Sequence, residues 1–533
     1  MIGSSKVFGR RARQVKAIVP LISTRLSSST LVPAYINGSI VADSSQSFAV
    51  TSPWTNTELH RAHNTTIEHA LAAAEAAGTA GMKTWGSYAP AQRRDILLRA
   101  ANLLNETKNE HVHAVSQEMG APLELAEYFF HDSVAYLKEV ASRTTSCLEG
   151  TIAISSKGRV PLIFKEPIGP VLAMAPWNAA SILGMRAVAT PLAAGCPVVF
   201  KSSERSPNSH WLTLKCFTEA GVPPGAFNFI NSDIDSTPAI VEALAGSPHI
   251  KKINFTGSTR VGREIAIAAS KHLKPLVLEL GGKSPVIIDS GLSEKQGRDA
   301  AFATLFGSWF GNGQICMSTD RIYIMREYFE EFVSLLRSQS EQFNKSKNEN
   351  MPSLHFDTTH YRAHPQSSVE AVRTLKELVV DALDKGATLV AGQLDPAYYR
   401  NGSADGDNNA KAALFHKTIL AGVTPEMRLY TEESFGPVAS VYPVDSIEEA
   451  VAFANESDYA LSASVWTPDA AKGIAIGKAL HSGAVHINGS TVHDEGTMPH
   501  GGVKNSGYGR FGGKWGLEEY TVTKAITLPV LDI

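Results

Sequence analysis

Cysteine is scarce in this chain, with four in 533 residues: Cys147, Cys196, Cys216 and Cys316. They are too few and too scattered for a disulfide framework. No Cys/His cluster has zinc-site spacing, so no metal is predicted. Charge of one sign is missing too, since 49 Lys and Arg face 52 Asp and Glu, a formal net charge of −3. That balance leaves no electrostatic footprint for nucleic acid. No apolar run is long enough to cross a bilayer; Ala187 to Phe200 is already broken by Thr190 and Pro191. What is present is ordinary globular material, 43% hydrophobic and 19% charged, in a chain long enough for two or three domains.

Acidic residues are absent from the first 42 positions, Asp43 being the first. Lys6, Arg10, Arg11, Arg13, Lys16 and Arg25 are spread through that stretch, and Ser27 to Ser29 follow. Basic, serine-containing and acid-free is the composition of a mitochondrial presequence. An untargeted tail is the alternative, which leaves the protein cytoplasmic. A secretory signal is opposed by Pro20 inside the short apolar run Ala17 to Ile22. Residues 1–30 are therefore set apart, and Tyr35-Ile36-Asn37-Gly38 reads as a strand entering a turn at the start of the folded body.

Helical spacing predicts helices over Ile67 to Met82, Ala91 to Leu104 and Glu110 to Met119. From Gly169 the texture changes. Strands are predicted at 171–174, 197–200, 227–230 and 252–255, alternating with helices at 182–189, 209–220 and 238–244. A second alternating block follows Gly281-Gly282. Its strands are placed at 286–288, 321–325, 438–441, 461–465 and 484–487, and its helices at 327–336 and 369–385. Alternation of this kind implies parallel sheets covered by helices. Arg400 to Asn409, rich in Gly, Asn and Asp, is read as a surface loop.

Several short motifs carry chemistry. Gly257-Ser258-Thr259-Arg260-Val261-Gly262 follows a strand and opens a helix, so its N–H groups can face a phosphate. Its spacing is neither the usual dinucleotide fingerprint nor a P-loop, and an ordinary strand-to-helix turn is the competing reading. Lys201 and Glu204 leave a neighbouring strand, where they can bond the hydroxyls of a ribose or simply pair in solvent. Cys316 ends a small-residue loop, Gly311-Asn312-Gly313-Gln314-Ile315, that gives a thiolate access. Most cysteines are nonetheless buried small hydrophobes. Glu279 stands between leucines, where desolvation is expected to raise its pKa and suit it as a general base. Asn178, after Ala175-Pro176-Trp177, offers an amide donor that can steady an oxyanion, although a turn residue or helix cap is the commoner role.

Together and in this order, Ala175 to Asn178, Lys201 to Glu204, Gly257 to Gly262, Glu279 to Gly282, Gly313 to Cys316, Glu433 to Pro437 and Gly501 to Arg510 closely resemble the signatures of the aldehyde dehydrogenase superfamily. The resemblance covers nearly the whole chain after about Leu31. It implies an α/β fold with a Rossmann-like NAD-binding domain (31–144 and 165–281), an α/β catalytic domain (282–502) and a small β oligomerisation arm (145–164 and 503–533). It implies a homodimer or homotetramer acting on a small-molecule aldehyde. Cys316 is then the nucleophile and Glu279 the water-activating base, with Asn178 in the oxyanion hole. Cofactor contacts fall at Trp177, Lys201, Glu204, Gly257, Ser258, Gly262, Glu433 and Phe435. Glu204 opposes a 2′-phosphate, so NAD is expected, with NADP accepted less well.

Thr491 to Pro499 and Gly501 to Gly513 look most like the subgroup acting on salicylaldehyde, vanillin and benzaldehyde, which points to an aromatic substrate. Arg186 stands where a cation can meet a phenolic oxygen, or is a helix-surface arginine. An aliphatic or semialdehyde substrate is the alternative. A CoA-acylating relative, disfavoured by Glu279, and a silent scaffold, disfavoured by the intact Cys316, Glu279 and Asn178, are weaker rivals. Two departures stand out. His500 occupies a position where the subgroup usually has Phe, and 353–367 and 401–409 match the family poorly.

Overall fold

The computed structural model describes residues 31–154, 158–344, 364–400 and 413–529. The basic tail, the loop at 401–409 and most of 353–367 lie outside the described residues. Short runs such as Val171–Met174, Val198–Lys201 and Phe227–Ile230 are buried at every position, the pattern of strands covered on both faces. They join Lys252–Thr256 and Leu276–Glu279 in the parallel centre of an eight-stranded sheet. Ala34–Ile36 and Ser39–Val41 extend one edge antiparallel. Gly507–Tyr508, from the stretch expected in the arm, closes the other.

The order of the parallel strands decides where a ligand can sit. Val171–Met174 lies between Val198–Lys201 on one side and Lys252–Thr256 on the other, so the chain reverses its winding beside it. A crevice opens outside the carboxyl ends of strands at such a switch point. Trp177 and Asn178 leave one of these two strands, and Gly257 and Ser258 leave the other.

The second sheet has seven strands, in the order Thr388–Gly392, Thr418–Ala421, Val438–Val444, Thr319–Met325, Ser284–Ile288, Ser462–Trp466 and Ala484–Ile487. All pairs are parallel except the first. A third, three-stranded sheet is built on Arg159–Pro167, which runs antiparallel to Thr521–Pro529 over nine residue pairs and carries Thr151–Ile152 on its other edge.

Several helices depart from the sequence expectation: Glu294–Trp309, Ile447–Glu456 and Ala470–Ala479 were not predicted, and two others position the site. Leu123–Arg143, for which the sequence predicts no helix, buries Leu125, Phe129, Phe130, Val134, Leu137 and Val140 along one apolar face. It packs on Ala180–Ala194, a helix expected to stop near Ala189 that instead runs through Pro191 to Gly195. Thr190 within it is bonded to the Tyr136 hydroxyl at 2.9 Å, in the core. Among the described residues no helix is long and apolar enough to cross a membrane.

Candidate active site

The candidate nucleophile is positioned by glycine geometry. The helix Glu294–Trp309 ends in the tight segment Phe310–Gly313, which delivers Cys316 just before the strand Thr319–Met325. Gly313 has φ +71°, and a Cβ there would lie 2.1 Å from the Gly436 carbonyl carbon. Only glycine lets these two backbones meet without displacement. A Cβ at Gly282 would in turn lie 2.2 Å from the Cys316 carbonyl oxygen. The turn after Glu279 is thus packed directly against the Cys316 backbone.

Glu279 ends the strand Leu276–Glu279 with 1% of its surface exposed. One carboxylate oxygen, the Cys316 sulfur and a ring nitrogen of His500 all lie within 4.8 Å of one another. Nε2 of His500 is 3.7 Å from Oε1 of Glu279, and Nδ1 is 3.5 Å from Oδ1 of Asp494. Asp494 is also ion-paired with Arg186. The expectation of a raised Glu279 pKa is corrected here. Burial does push it up, but His500 and then Arg186 outweigh burial and hold the carboxyl below its ordinary value. Burial likewise opposes a charged His500, yet the facing carboxylates, Asp494 foremost, push it up to about 9. Burial and the Glu279 carboxylate hold the Cys316 thiol well above its ordinary range.

Arg186 is not on a helix surface. It is buried in Ala180–Ala194, its charge met by Asp494, with the rings of Tyr136 and Phe511 at 6.0 and 5.8 Å from its guanidinium carbon. Asn178 is also buried, and its side-chain amide donates to the Gln314 carbonyl at 2.8 Å. One amide hydrogen therefore fixes the Cys316 loop, which leaves the second for another acceptor.

The residues singled out for a cofactor form two connected groups. Trp177 meets Phe435 edge to face, ring centroids 6.0 Å apart, with Phe435 held at φ +46°. Beside it Glu433 accepts from the Gly282 N–H at 2.8 Å, and burial pushes its carboxyl up to about 7. Trp177 also lines an open cleft of about 280 Å³, together with Glu204, Arg205, Asp233 and Ser367. Lys201 is buried beneath, within electrostatic reach of Glu204 and Asp233. Ser258 caps the helix Thr259–Ser270 by accepting from the Val261 N–H. The Gly257 N–H donates to the Glu279 carbonyl at 3.1 Å, and Gly262 packs on Leu280.

The model of the aldehyde dehydrogenase family matches residues 40–526. The chain belongs to the aldehyde dehydrogenase family. Its enzymes oxidise aldehydes with NAD(P), and this chain is accordingly an NAD(P)-dependent aldehyde dehydrogenase. It is 37% identical over 492 residues to a salicylaldehyde dehydrogenase of Pseudomonas sp. (strain C18), covering 92% of this chain and 96% of that relative. It is 39% identical over 498 residues to a vanillin dehydrogenase of Pseudomonas sp. (strain HR199 / DSM 7063), covering 93% and 98%. The crystal structure of a salicylaldehyde dehydrogenase from Pseudomonas putida G7 complexed with salicylaldehyde superposes with a TM-score of 0.83 at 35% identity, over 93% of this chain and 98% of that one.

Within this aldehyde dehydrogenase, sequence motifs located Cys316, Glu279, Asn178, Glu433 and Phe435, but not what binds them together. Gln314 and Asp494 lie within stretches quoted for other residues and were not singled out, nor was the buried Lys283–Asp320 pair. Their partners lie far along the chain, so spacing gives no sign of them.

Proposed function

We propose that the enzyme converts a salicylaldehyde-like aromatic aldehyde to its carboxylic acid, with NAD preferred to NADP. The reading rests chiefly on the meeting of the Cys316 sulfur and the Glu279 carboxylate within 4.8 Å, beside a loop fixed by the Asn178 amide. Cys316 is proposed as nucleophile. Because burial holds its thiol neutral, Glu279 is the group placed to take its proton. The sulfur then bonds the aldehyde carbon, and the oxygen acquires the negative charge. The free hydrogen of the Asn178 amide and the Cys316 N–H stabilise that oxyanion. Trp177, Glu433 and Phe435 would hold the nicotinamide end of NAD, which would supply the hydride acceptor that turns the Cys316 adduct into a thioester. Once Glu279 has passed the first proton to solvent, its carboxylate draws a proton from water, whose oxygen attacks the thioester carbon; the C–S bond breaks, releasing the acid and returning the Cys316 sulfur.

For the cofactor, Lys201 and Glu204 are proposed at the adenosine ribose, and Gly257, Ser258 and Gly262 at the pyrophosphate turn. Glu433 is proposed at the nicotinamide ribose, with Phe435 and Trp177 against the ring. The two carboxylates of Glu204 and Asp233 in the cleft favour NAD by repelling a 2′-phosphate. Arg186, whose field reaches Glu279 and Cys316, acts as one half of an ion pair with Asp494; a phenolic hydroxyl can both donate to and accept from such a pair. Similarity to salicylaldehyde and vanillin dehydrogenases supports the aromatic choice. The arm sheet leaves Ile152, Phe164, Val522, Ile526 and Leu528 exposed, which supports association with a second copy.

An aldehyde panel with NAD and NADP, read by NADH or NADPH absorbance, tests this. A higher kcat/KM for salicylaldehyde than for acetaldehyde and hexanal is expected. Preference for the short aliphatic aldehydes rejects the substrate class.

A further inference from the structure

The sequence spacing excluded a zinc site, but the fold brings together donors that spacing could not relate. Cys316, Glu279 and His500 offer one sulfur, one oxygen and one nitrogen, all within 4.8 Å. Zinc takes this donor set in a tetrahedron with bonds of about 2.0–2.3 Å, which places neighbouring donors about 3.3–3.8 Å apart. The His500 to Glu279 separation of 3.7 Å already fits such an edge. The remaining edges close with side-chain movement of about an ångström or less.

Two further observations point the same way. Both Glu279 oxygens and Nε2 of His500 are buried without a hydrogen bond among the described residues; Nε2 and Oε1 face each other as an ion pair, but at 3.7 Å they are too far apart for a direct bond, an arrangement that polar atoms rarely keep unless something lies between them. In addition, Nδ1 of His500 faces Asp494 at 3.5 Å, and Asp494 is held by Arg186. A carboxylate behind the distal ring nitrogen is the support that orients metal-binding histidines.

We propose that Cys316, Glu279 and His500 form a binding site for a zinc-class divalent cation, whose occupancy reversibly blocks the enzyme. Coordination replaces the proton on the Cys316 sulfur and any proton on Nε2 of His500, with both protons released to solvent. The metal changes no oxidation state and leaves a fourth position for water. Occupancy removes the nucleophile and the water-activating carboxylate together. The block, though not the binding, rests on the catalytic roles proposed above. His500 decides the site, because Phe at that position leaves only two donors.

The test uses the purified full chain, freed of metal with a chelator that is then removed. Zn2+ is titrated by calorimetry and Co2+ by absorbance. About one equivalent of either ion is expected, Co2+ giving both a thiolate charge-transfer band and the intense visible bands of a four-coordinate site. His500→Phe and His500→Gln are expected to bind at least about tenfold more weakly and to lose the visible bands, while Cys316→Ser loses the charge-transfer band. In activity assays Zn2+ is expected to inhibit, EDTA to restore turnover, and the inhibition constant to rise about tenfold in whichever His500 variant folds. Failure of the wild type to bind either ion at micromolar concentration overturns the proposal. So does wild-type affinity in a folded His500 variant, the behaviour of metal on Cys316 alone. The binding arms need no turnover, so they stand apart from failure of the aldehyde panel.

Discussion

The Asn178 side-chain amide donates to the carbonyl of Gln314, two residues before Cys316, at 2.8 Å. A single side chain therefore braces the Cys316 loop and keeps a second amide hydrogen for the oxyanion role proposed above. Asn178→Ala removes both effects. Its kcat on the best aldehyde is expected to fall by about 10²–10³, the usual cost of losing one oxyanion donor. Asn178→Asp places an acceptor where a donor is required and is expected to be at least as impaired. Equal activity of Asn178→Ala and wild type in steady-state assays contradicts this role.

Cys316 and Glu279 are predicted to fail in different ways. Cys316→Ala is expected to release no NADH from any aldehyde, with circular dichroism unchanged. Glu279→Gln keeps the sulfur but can accept neither the Cys316 proton nor that of the hydrolytic water, so the first NADH is expected to form slowly. Rapid-mixing absorbance is expected to show at most about one NADH per site, followed by a steady rate reduced by about 10²–10⁴. Full turnover in Glu279→Gln requires a different base.

Lys283 and Asp320 form a buried ion pair at 2.5 Å, and Lys283 also donates to the Glu432 carbonyl at 2.9 Å. Lys283 follows the Gly281-Gly282 turn, and Asp320 lies on the strand after Cys316. The pair therefore ties the nucleophile's strand to the exit from Glu279 and to the loop bearing Glu433. Removing one partner strands the other charge in the core. Lys283→Met is expected to lose about 3–5 kcal/mol of stability, measured by denaturant unfolding. The double variant Lys283→Met/Asp320→Leu is expected to recover much of that loss.

Most parallel strands were readable because each is a short apolar run bounded by turn residues; Thr418–Ala421 was missed. Boundaries moved by one to three residues, from Val198–Lys201 against 197–200 to Val438–Val444 against 438–441. The helix Leu123–Arg143 was not read: its apolar stripe is interrupted by Ser133 and Tyr136, whose burial depends on partners elsewhere in the chain. Candidate catalytic residues were legible through their motifs. Their electrostatics were not. Two leucines beside Glu279 imply a raised pKa, and only the fold brings in His500 and Arg186 to reverse it. Arg186 was left open between a surface and a substrate role because its partner Asp494 is 308 positions away.

Gly313 gives a sharper test of the loop than any polar substitution. Gly313→Ala must place a methyl group 2.1 Å from the Gly436 carbonyl while holding φ at +71°. The backbone has to shift, which moves Cys316 relative to Asn178 and Phe435. A loss of about 1–3 kcal/mol in stability is expected. The fall in kcat/KM is expected to exceed about 10², because small misplacements are costly at a reacting centre. Thermal unfolding and steady-state assays on the same preparation measure both.

Glu433 supplies a dependence on pH. Burial pushes its carboxyl from an ordinary 4.5 up to about 7, so the folded protein holds this proton more tightly than the unfolded chain. Its contribution to stability is therefore largest below about pH 4.5 and declines as pH rises through 7. Cofactor affinity runs in the opposite sense, since an ionised carboxylate accepts ribose hydroxyls better than a neutral one. From about pH 6 to pH 8 the Kd for NAD is expected to fall by up to about tenfold, the range set by one titration near 7. Glu433→Gln keeps an oxygen for the Gly282 N–H but cannot ionise. Its NAD affinity is expected to be flat across the same range, and its stability above pH 7 is expected to exceed that of the wild type. Fluorescence titration with NAD and thermal unfolding across pH measure the two effects, and parallel curves for the two proteins exclude Glu433 as their source.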